Sequence, residues 1–130
     1  LRSGRYKLAE AVAIQVEVNF VPLYRNQPTI GDVDSELRAM GFMPHCFAAA
    51  KVMPLAAPVL QPSQDPHQIV DADLFYVRDI CRPMSQEQWK QLAMIAHHVC
   101  GSFDLAMIAV AHVGADLPEQ YKIILEEQAK

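Results

Sequence analysis

Three polar side chains at alternate positions of an apolar segment are the residues best placed to do chemistry in this chain of 130 residues. Gln15, Glu17 and Asn19, which we call the polar row, alternate with β-branched residues. This period of two predicts a strand over Ala11–Asn19 with the polar row on one face. A carboxylate and two amides are unfavourable to bury without partners. Three interpretations of the polar row follow. Its side chains line a ligand pocket, or they find partners in a helix cap, a neighbouring loop or Arg5. In the third interpretation they lie on a solvated face.

The histidines and cysteines lack the spacing of a metal site or of a catalytic nucleophile. His97 and His98 are adjacent on a predicted helix, so they point about 100° apart and cannot bind one metal ion. No Cys-x-x-Cys or His-x-x-x-His pair occurs, so spacing predicts neither a zinc site nor a disulfide framework. We expect three buried, reduced thiols. The glycine-rich motifs of nucleotide sites and the Gly-x-Ser-x-Gly turn of hydrolases are absent from the sequence.

The composition is that of an ordinary globular domain, with 52% hydrophobic and 20% charged residues. A net charge of −4 without a cluster of basic residues favours neither nucleic acid nor an anionic membrane as a partner. The apolar runs are far shorter than the roughly 20 residues of a membrane span, and we find no signal-peptide pattern. We therefore expect a cytoplasmic protein. Because the sequence starts at Leu1 without a methionine, we also expect that an N-terminal portion precedes it.

The elements that would position the polar row follow from caps and periodicity. Thr29 and Asp32 form a capping box that predicts a helix ending at Gly41. The later elements are a strand over Met43–Val52, a proline-rich loop over Met53–Gln68, a strand over Ile69–Asp79, and helices starting at Ser85, Ser102 and Asp116. In the last helix we expect Tyr121, Ile124 and Leu125 to face inward.

This order predicts an α/β region over residues 1–83 and a helical C-terminal extension over residues 84–130. A strand–helix–strand crossover predicts a parallel pair of strands covered by the helix. The third strand has no helix before it, so it pairs most simply antiparallel to the second. Ligands of open α/β sheets bind beyond the carboxyl ends of the parallel strands, where Glu17 and Asn19 lie on the first strand.

Two segments resemble a known enzyme family. Residues 14–24 (I-Q-V-E-V-N-F-V-P-L-Y), followed by Gln27-Pro28 and a short helix ending at Gly41-Phe42, resemble the C-terminal half of S-adenosylmethionine-dependent methyltransferases of the FkbM type. Residues 71–79 (D-A-D-L-F-Y-V-R-D) are similar to the final strand of that family, and the helical tail from Ser85 is similar to its C-terminal extension. The resemblance spans residues 8 to about 110.

The resemblance implies a partial Rossmann-like methyltransferase sheet. The three strands would be its fifth, sixth and seventh, with the antiparallel seventh inserted between the other two. The family binds S-adenosylmethionine with its first four strands, which have no counterpart here, so we expect no cofactor-binding residues in this chain. Glu17 would orient or deprotonate a hydroxyl acceptor, while Asn19 and Tyr24 would bind this small-molecule substrate. The chain would then be the acceptor-side portion of an O-methyltransferase, inactive alone.

Other interpretations remain open at this point. Removing the first four strands would expose the edge of the first strand, so we expect self-association through Val12–Val18. The main alternative to the enzyme is a non-catalytic α/β module that binds a protein partner through its C-terminal helices. A small-molecule sensor built on the polar row is a third possibility.

Overall fold

A three-stranded sheet lies at the centre of the protein. The structure is a computed structural model that describes residues 4–55 and 67–129. The strands are β1 (Ala13–Asn19), β2 (Phe42–Met53) and β3 (Gln68–Arg78). β3 lies between the other two and runs antiparallel to both. Consequently β1 and β2 are parallel to each other, as predicted, but the parallel pair expected from the crossover is wrong because β3 lies between them.

Helices surround this sheet, and those that follow β1 have the order that the sequence predicted. They are α1 (Arg5–Leu8), α2 (Ile30–Ala39), α3 (Gln86–Ile95), a π-helical turn that prolongs α3 (Ala96–Cys100), α4 (Phe103–Val113) and α5 (Leu117–Gln128). The two capping boxes predicted for α2 and α3 are both present. Of the predicted loop over Met53–Gln68, residues 56–66 lie outside the described part of the chain. None of the described helices is long and apolar enough to cross a bilayer.

Gly41 ends α2 where no other residue would fit well. Its φ of +85° lies in the left-handed region, and a Cβ there would come within 3.2 Å of Nη1 of Arg82. The backbone N–H of Asp79 also donates a hydrogen bond to the carbonyl oxygen of Gly41, at 3.0 Å. This turn therefore fixes the start of β2 against the end of β3.

Alternate side chains of β3 point to opposite faces of the sheet and so enter two separate cores. On one face α2 packs over a cluster formed by Val18, Leu37, Phe42, Ala72, Leu74 and Tyr76. On the other face α3 and α4 cover a cluster formed by Val12, Val77, Trp89, Leu92, Ala96, Leu105, Ala106 and Ala109. The second cluster reaches the sheet only at the end that carries Val77.

Arg78 joins three parts of the chain at that same end. Its Nε donates to the carbonyl oxygen of Ala11 at 2.8 Å, its Nη1 to that of Met40 at 2.9 Å, and its Nη2 to that of Leu8 at 2.9 Å. The guanidinium also lies 4.3 Å from the ring centre of Phe42. Burial lowers the pKa of Arg78. Arg78 therefore holds the segment before β1 and the C-terminus of α2 against β3.

Two expectations about burial were wrong. Ile124 does not face inward but is 47% exposed, because α5 packs against α4 along a narrow line that uses Tyr121 and Leu125, both half-buried. The three cysteines are not all buried either. Cys81 is exposed, and Cys46 and Cys100 are half-buried.

Candidate functional site

The polar row of β1 meets acidic side chains of β3 on one face of the sheet. Glu17 lies directly opposite Asp73, and Asn19 lies opposite Asp71. Residues opposite each other in an antiparallel pair share a face, with Cβ atoms about 4.5–5.5 Å apart. Lys51 of β2 lies opposite Asp71 on the other side, and its Nζ is 3.9 Å from Oδ2 of that residue. We call these five residues the acidic patch.

The charges of the acidic patch are poorly balanced. Glu17 and Asp73 are like charges placed directly opposite each other, an arrangement that destabilises a sheet. Within the described residues, neither carboxylate has a hydrogen bond or an ion pair. Glu17 is exposed and Asp73 half-buried. The patch therefore presents free carboxylate oxygens that could accept a hydrogen bond or a proton from a bound hydroxyl group.

The acidic patch occupies only half of its face. Farther along the strands Gln15 lies opposite Phe75 and Ala13 lies opposite Val77. Phe75 is only 8% exposed, and Val77 belongs to the core under α3 and α4. The face is thus apolar and covered at its Val77 end, and polar and open at the other end.

Tyr24 lies on the loop that leaves β1 and is 75% exposed. Gln27 holds this loop, because its side-chain oxygen accepts hydrogen bonds from the backbone N–H of Leu23 at 2.8 Å and of Tyr24 at 3.2 Å. Asn26 between them has a φ of +62°, which the tight turn requires. Among the described residues no hydrogen bond links Tyr24 to Glu17 or Asn19. The structure therefore groups two of the three predicted site residues and holds the third on a separate loop.

Arg5, one of the partners considered for the polar row, is bound elsewhere. Its Nη2 lies 2.7 Å from Oε1 of Glu36 on α2, and its Nε donates to the same oxygen at 2.8 Å. The idea that Arg5 neutralises the polar row is therefore wrong.

Sequence reasoning missed Asp71, Asp73 and Lys51 as neighbours of the polar row. The two aspartates alternate with apolar residues just as the polar row does, so the signal was present in the sequence. The register that sets them opposite Glu17 and Asn19 depends on how β1 and β3 align, and neither segment alone encodes that alignment.

A second concave region lies at the opposite end of the strands. A cleft of about 340 Å³ opens between the start of β2, the residues after β3 and the start of α4. Nε2 of His45 in its wall is buried and has no hydrogen-bond partner among the described residues. Asp104 also lines the cleft, and a hydrogen bond from Oγ of Ser102 lowers the pKa of its carboxyl group. This cleft does not reach the acidic patch.

The structure also brings two cysteines together that are far apart in the sequence. Cys46 lies on β2 and Cys100 ends the π-helical turn, and both are half-buried. Burial, followed by the influence of the Cys46 thiol, raises the pKa of Cys100. No spacing rule could have indicated this proximity, because it depends on how the helices pack on the sheet.

Neither a metal ion nor a known relative identifies the site. In residues 4–55 and 67–129 no three His, Cys, Asp or Glu side chains converge so that they could hold a metal ion. The turns after β1 and β3 contain no glycine-rich cradle. Comparison of the chain with protein-family models, with curated proteins and with solved structures found no match.

Proposed function

We propose that this chain is the C-terminal, acceptor-side portion of an O-methyltransferase that uses S-adenosylmethionine. The observation that carries the proposal is the strand arrangement, in which β3 lies antiparallel between the parallel strands β1 and β2. The resemblance to FkbM-type methyltransferases implies this order for the last three strands of a Rossmann-like sheet. The motif in residues 14–24 covers most of β1 and the loop after it, and the motif in residues 71–79 covers most of β3.

The acidic patch supports an acceptor site on this portion of the protein. Glu17 would accept the proton of the acceptor hydroxyl or orient that hydroxyl, and the amide of Asn19 beside it would donate a hydrogen bond to the substrate. Tyr24, exposed on the loop after β1, would line the pocket from the side. Since the motifs with which the family binds S-adenosylmethionine have no counterpart in this sequence, the cofactor would be held by another part of the whole protein.

The free edge of β1 agrees with the same proposal. β1 is paired with β3 on one side only, and in the described part of the chain no strand pairs with its other side. In the whole protein a strand of the cofactor-binding half would pair there. In the isolated chain the same backbone groups over Val12–Val18 would pair with a second copy. Light scattering should then give the mass of a dimer, and a monomer would contradict this part of the proposal.

Two measurements test the enzyme proposal directly. Calorimetric titration of the 130-residue chain with S-adenosylmethionine should give no heat of binding. The gene should encode, upstream of Leu1, a strand followed by a glycine-rich turn and later strands that end in acidic residues. Tight cofactor binding by the isolated chain, or an unrelated upstream sequence, would overturn the proposal.

In the whole protein the role of Glu17 can be isolated by a matched pair of variants. Glu17→Gln should lower kcat for methyl transfer by about 10²–10⁴-fold and leave cofactor binding unchanged, because a positioned general base contributes that much. Glu119→Gln, which alters an exposed glutamate on α5, should leave kcat unchanged. Equal activity of both variants would remove Glu17 from the reaction.

A non-catalytic interaction module is the second candidate, and one observation favours it. The C-terminal helices and the turns between them expose large apolar side chains, namely Met94, Val99, Phe103, Ile108, Ile123 and Ile124. Exposed apolar residues in a cluster mark protein-binding surfaces. Under this reading a protein partner would bind the chain, Ile123→Lys would weaken that binding, and Glu17→Gln would have no effect. The two variants therefore discriminate the two candidates.

A further inference from the structure

The cleft at the far end of the strands from the acidic patch has largely apolar walls. Its volume is about 340 Å³, at the small end of the range of about 300–1,000 Å³ that ligand pockets occupy. Two of its lining residues, Val77 and Leu105, are buried, whereas Met43, Ile80 and Ile108 are exposed. The cleft therefore has an apolar floor and an apolar rim, which suit a small ligand with a hydrocarbon body.

His45 enters the wall of the cleft through an irregularity of β2. Pro44 lies opposite Tyr76, and Cys46 lies opposite Phe75. His45 between them is therefore the extra residue of a β-bulge, a feature that redirects side chains and is frequent next to active sites. Nε2 of His45 is buried and has no hydrogen-bond partner among the described residues. Such a nitrogen is unfavourable, so a turn of the ring that lets Nε2 accept a hydrogen bond from a ligand would favour binding.

Asp104 supplies a carboxylate to the same cleft from the first turn of α4. The hydroxyl group of Ser102 donates a hydrogen bond to its Oδ1 at 2.7 Å, which holds the carboxylate in one orientation. In residues 4–55 and 67–129 Asp104 forms no ion pair. Because a carboxylate has about four acceptor positions, it can still accept hydrogen bonds from a ligand.

The other charged groups of the lining are already engaged. The guanidinium of Arg78 donates to three carbonyl oxygens. Oδ1 of Asp79 accepts a hydrogen bond from the backbone N–H of Cys81 at 3.0 Å, and its Oδ2 lies 3.4 Å from Nε of Arg82. The charge that remains is the negative charge of Asp104, so the cleft favours a cation over an anion.

We propose that this cleft binds a small primary amine, with the ammonium group between Asp104 and His45 and the hydrocarbon body on Val77 and Leu105. The ammonium group donates one hydrogen bond to the carboxylate of Asp104 and one to Nε2 of His45, and its third N–H remains in water. The hydrocarbon body covers the apolar floor. The proposal is independent of the proposed enzymatic function, because the cleft shares no residue with the acidic patch.

The test is a nuclear magnetic resonance titration of the full, ¹⁵N-labelled chain with n-hexylamine. The matched controls are 1-hexanol and hexanoate, which have the same chain length and a neutral or an anionic head group. Hexylamine should shift the amide signals of Met43, His45 and Asp104 in a saturable way, together with the ring nitrogen signals of His45. Hexanol should bind about 2–5-fold more weakly, the contribution of an exposed ion pair, and hexanoate should not bind.

Three outcomes of this titration would overturn the proposal. They are the absence of saturable shifts at the cleft, binding of hexanol or hexanoate as tight as that of hexylamine, and shifts confined to exposed apolar residues of the C-terminal helices such as Ile123.

Variants separate the parts of the site. Asp104→Asn keeps an oxygen that can accept from Ser102, and it should weaken hexylamine about 2–5-fold and leave hexanol unchanged. Asp116→Asn, at the start of α5 and outside the cleft, is the matched control and should change neither. Ile108→Trp, which fills the cleft, should abolish binding of both, and circular dichroism verifies that each variant is folded. Equal affinity of Asp104→Asn and Asp116→Asn for hexylamine, or unchanged binding by Ile108→Trp, would overturn the proposal.

Discussion

Stability at high pH should depend on one buried phenol. The side chain of Tyr76 is fully buried, and its hydroxyl group donates a hydrogen bond to Oδ1 of Asp34 on α2 at 3.1 Å. Burial, followed by the hydrogen bond to Asp34 and the charge of that carboxylate, raises the pKa of Tyr76 to about 12. An unfolded chain would ionise the same phenol near a pKa of about 10.

The sign of the effect follows from these two pKa values. The folded state favours the neutral phenol, so its contribution to stability is fully present below a pH of about 10 and is lost as the pH rises toward about 12. Each pKa unit corresponds to about 1.4 kcal/mol. The wild-type protein should therefore lose about 1.4 kcal/mol through Tyr76 by a pH of about 11, and about 2–3 kcal/mol in all.

Tyr76→Phe isolates this contribution because the variant has no phenol to ionise at that position. At neutral pH the variant should be less stable than the wild type by about 1.5–3 kcal/mol, the usual contribution of a hydrogen bond to a charged group. Between pH values of about 9 and 11 that difference should shrink by about 1.4 kcal/mol. Tyr24→Phe, which changes an exposed phenol, should alter the neutral-pH value by no more than about 0.5 kcal/mol.

The measurement is urea unfolding followed by the fluorescence of Trp89, the single tryptophan. Trp89 is buried and stacks on the ring of His112 at 4.0 Å, so unfolding should change its emission. Comparing wild type and Tyr76→Phe at each pH cancels the titration of every other group. A difference between the two proteins that stays constant up to a pH of about 11 would refute the reasoning.

Two further substitutions should change stability in opposite directions. Asp73→Asn should raise the free energy of unfolding by about 0.2–1 kcal/mol, because it removes a like charge opposite Glu17. This gain in stability should shrink in high salt. A destabilised variant would show that Asp73 has a favourable partner. Arg78→Met should lower the free energy of unfolding by about 2–4 kcal/mol, because the three carbonyl oxygens that Arg78 binds at 2.8–2.9 Å lose a charged donor. Arg78→Lys has fewer donors, so its free energy of unfolding should lie between those of the wild type and of Arg78→Met. Urea titration measures both variants.

Most of the regular structure could be predicted because its signals are local. The capping box of Thr29 and Asp32, the left-handed Gly41 and the alternation in β1 each involve residues a few positions apart. Burial depended on longer-range packing, which is why the expectations for Ile124 and Cys81 failed. The position of the neighbouring element decides which face of a helix is buried. The sequence of a single segment does not encode that position.

The candidate site was predictable only in part for the same reason. The polar row follows from the sequence of β1 alone, but the acidic patch exists because β3 occupies the middle of the sheet in one particular register. β2 adds Lys51 only after two register shifts, one of which lies between Pro44 and Cys46. Bulges of this kind change which side chains share a face.

The acidic patch has a physical cost that its own surroundings do not offset. Glu17 and Asp73 repel each other across the sheet, and Lys51 of β2 contacts Asp71 instead. In water such carboxylates are screened and solvated, so an open patch positions a substrate poorly. A cover that excludes water would strengthen each hydrogen bond to a hydroxyl acceptor. The acidic patch would then work as an active site only when another surface closes over it. This dependence agrees with the proposal that the chain contributes one half of an active site.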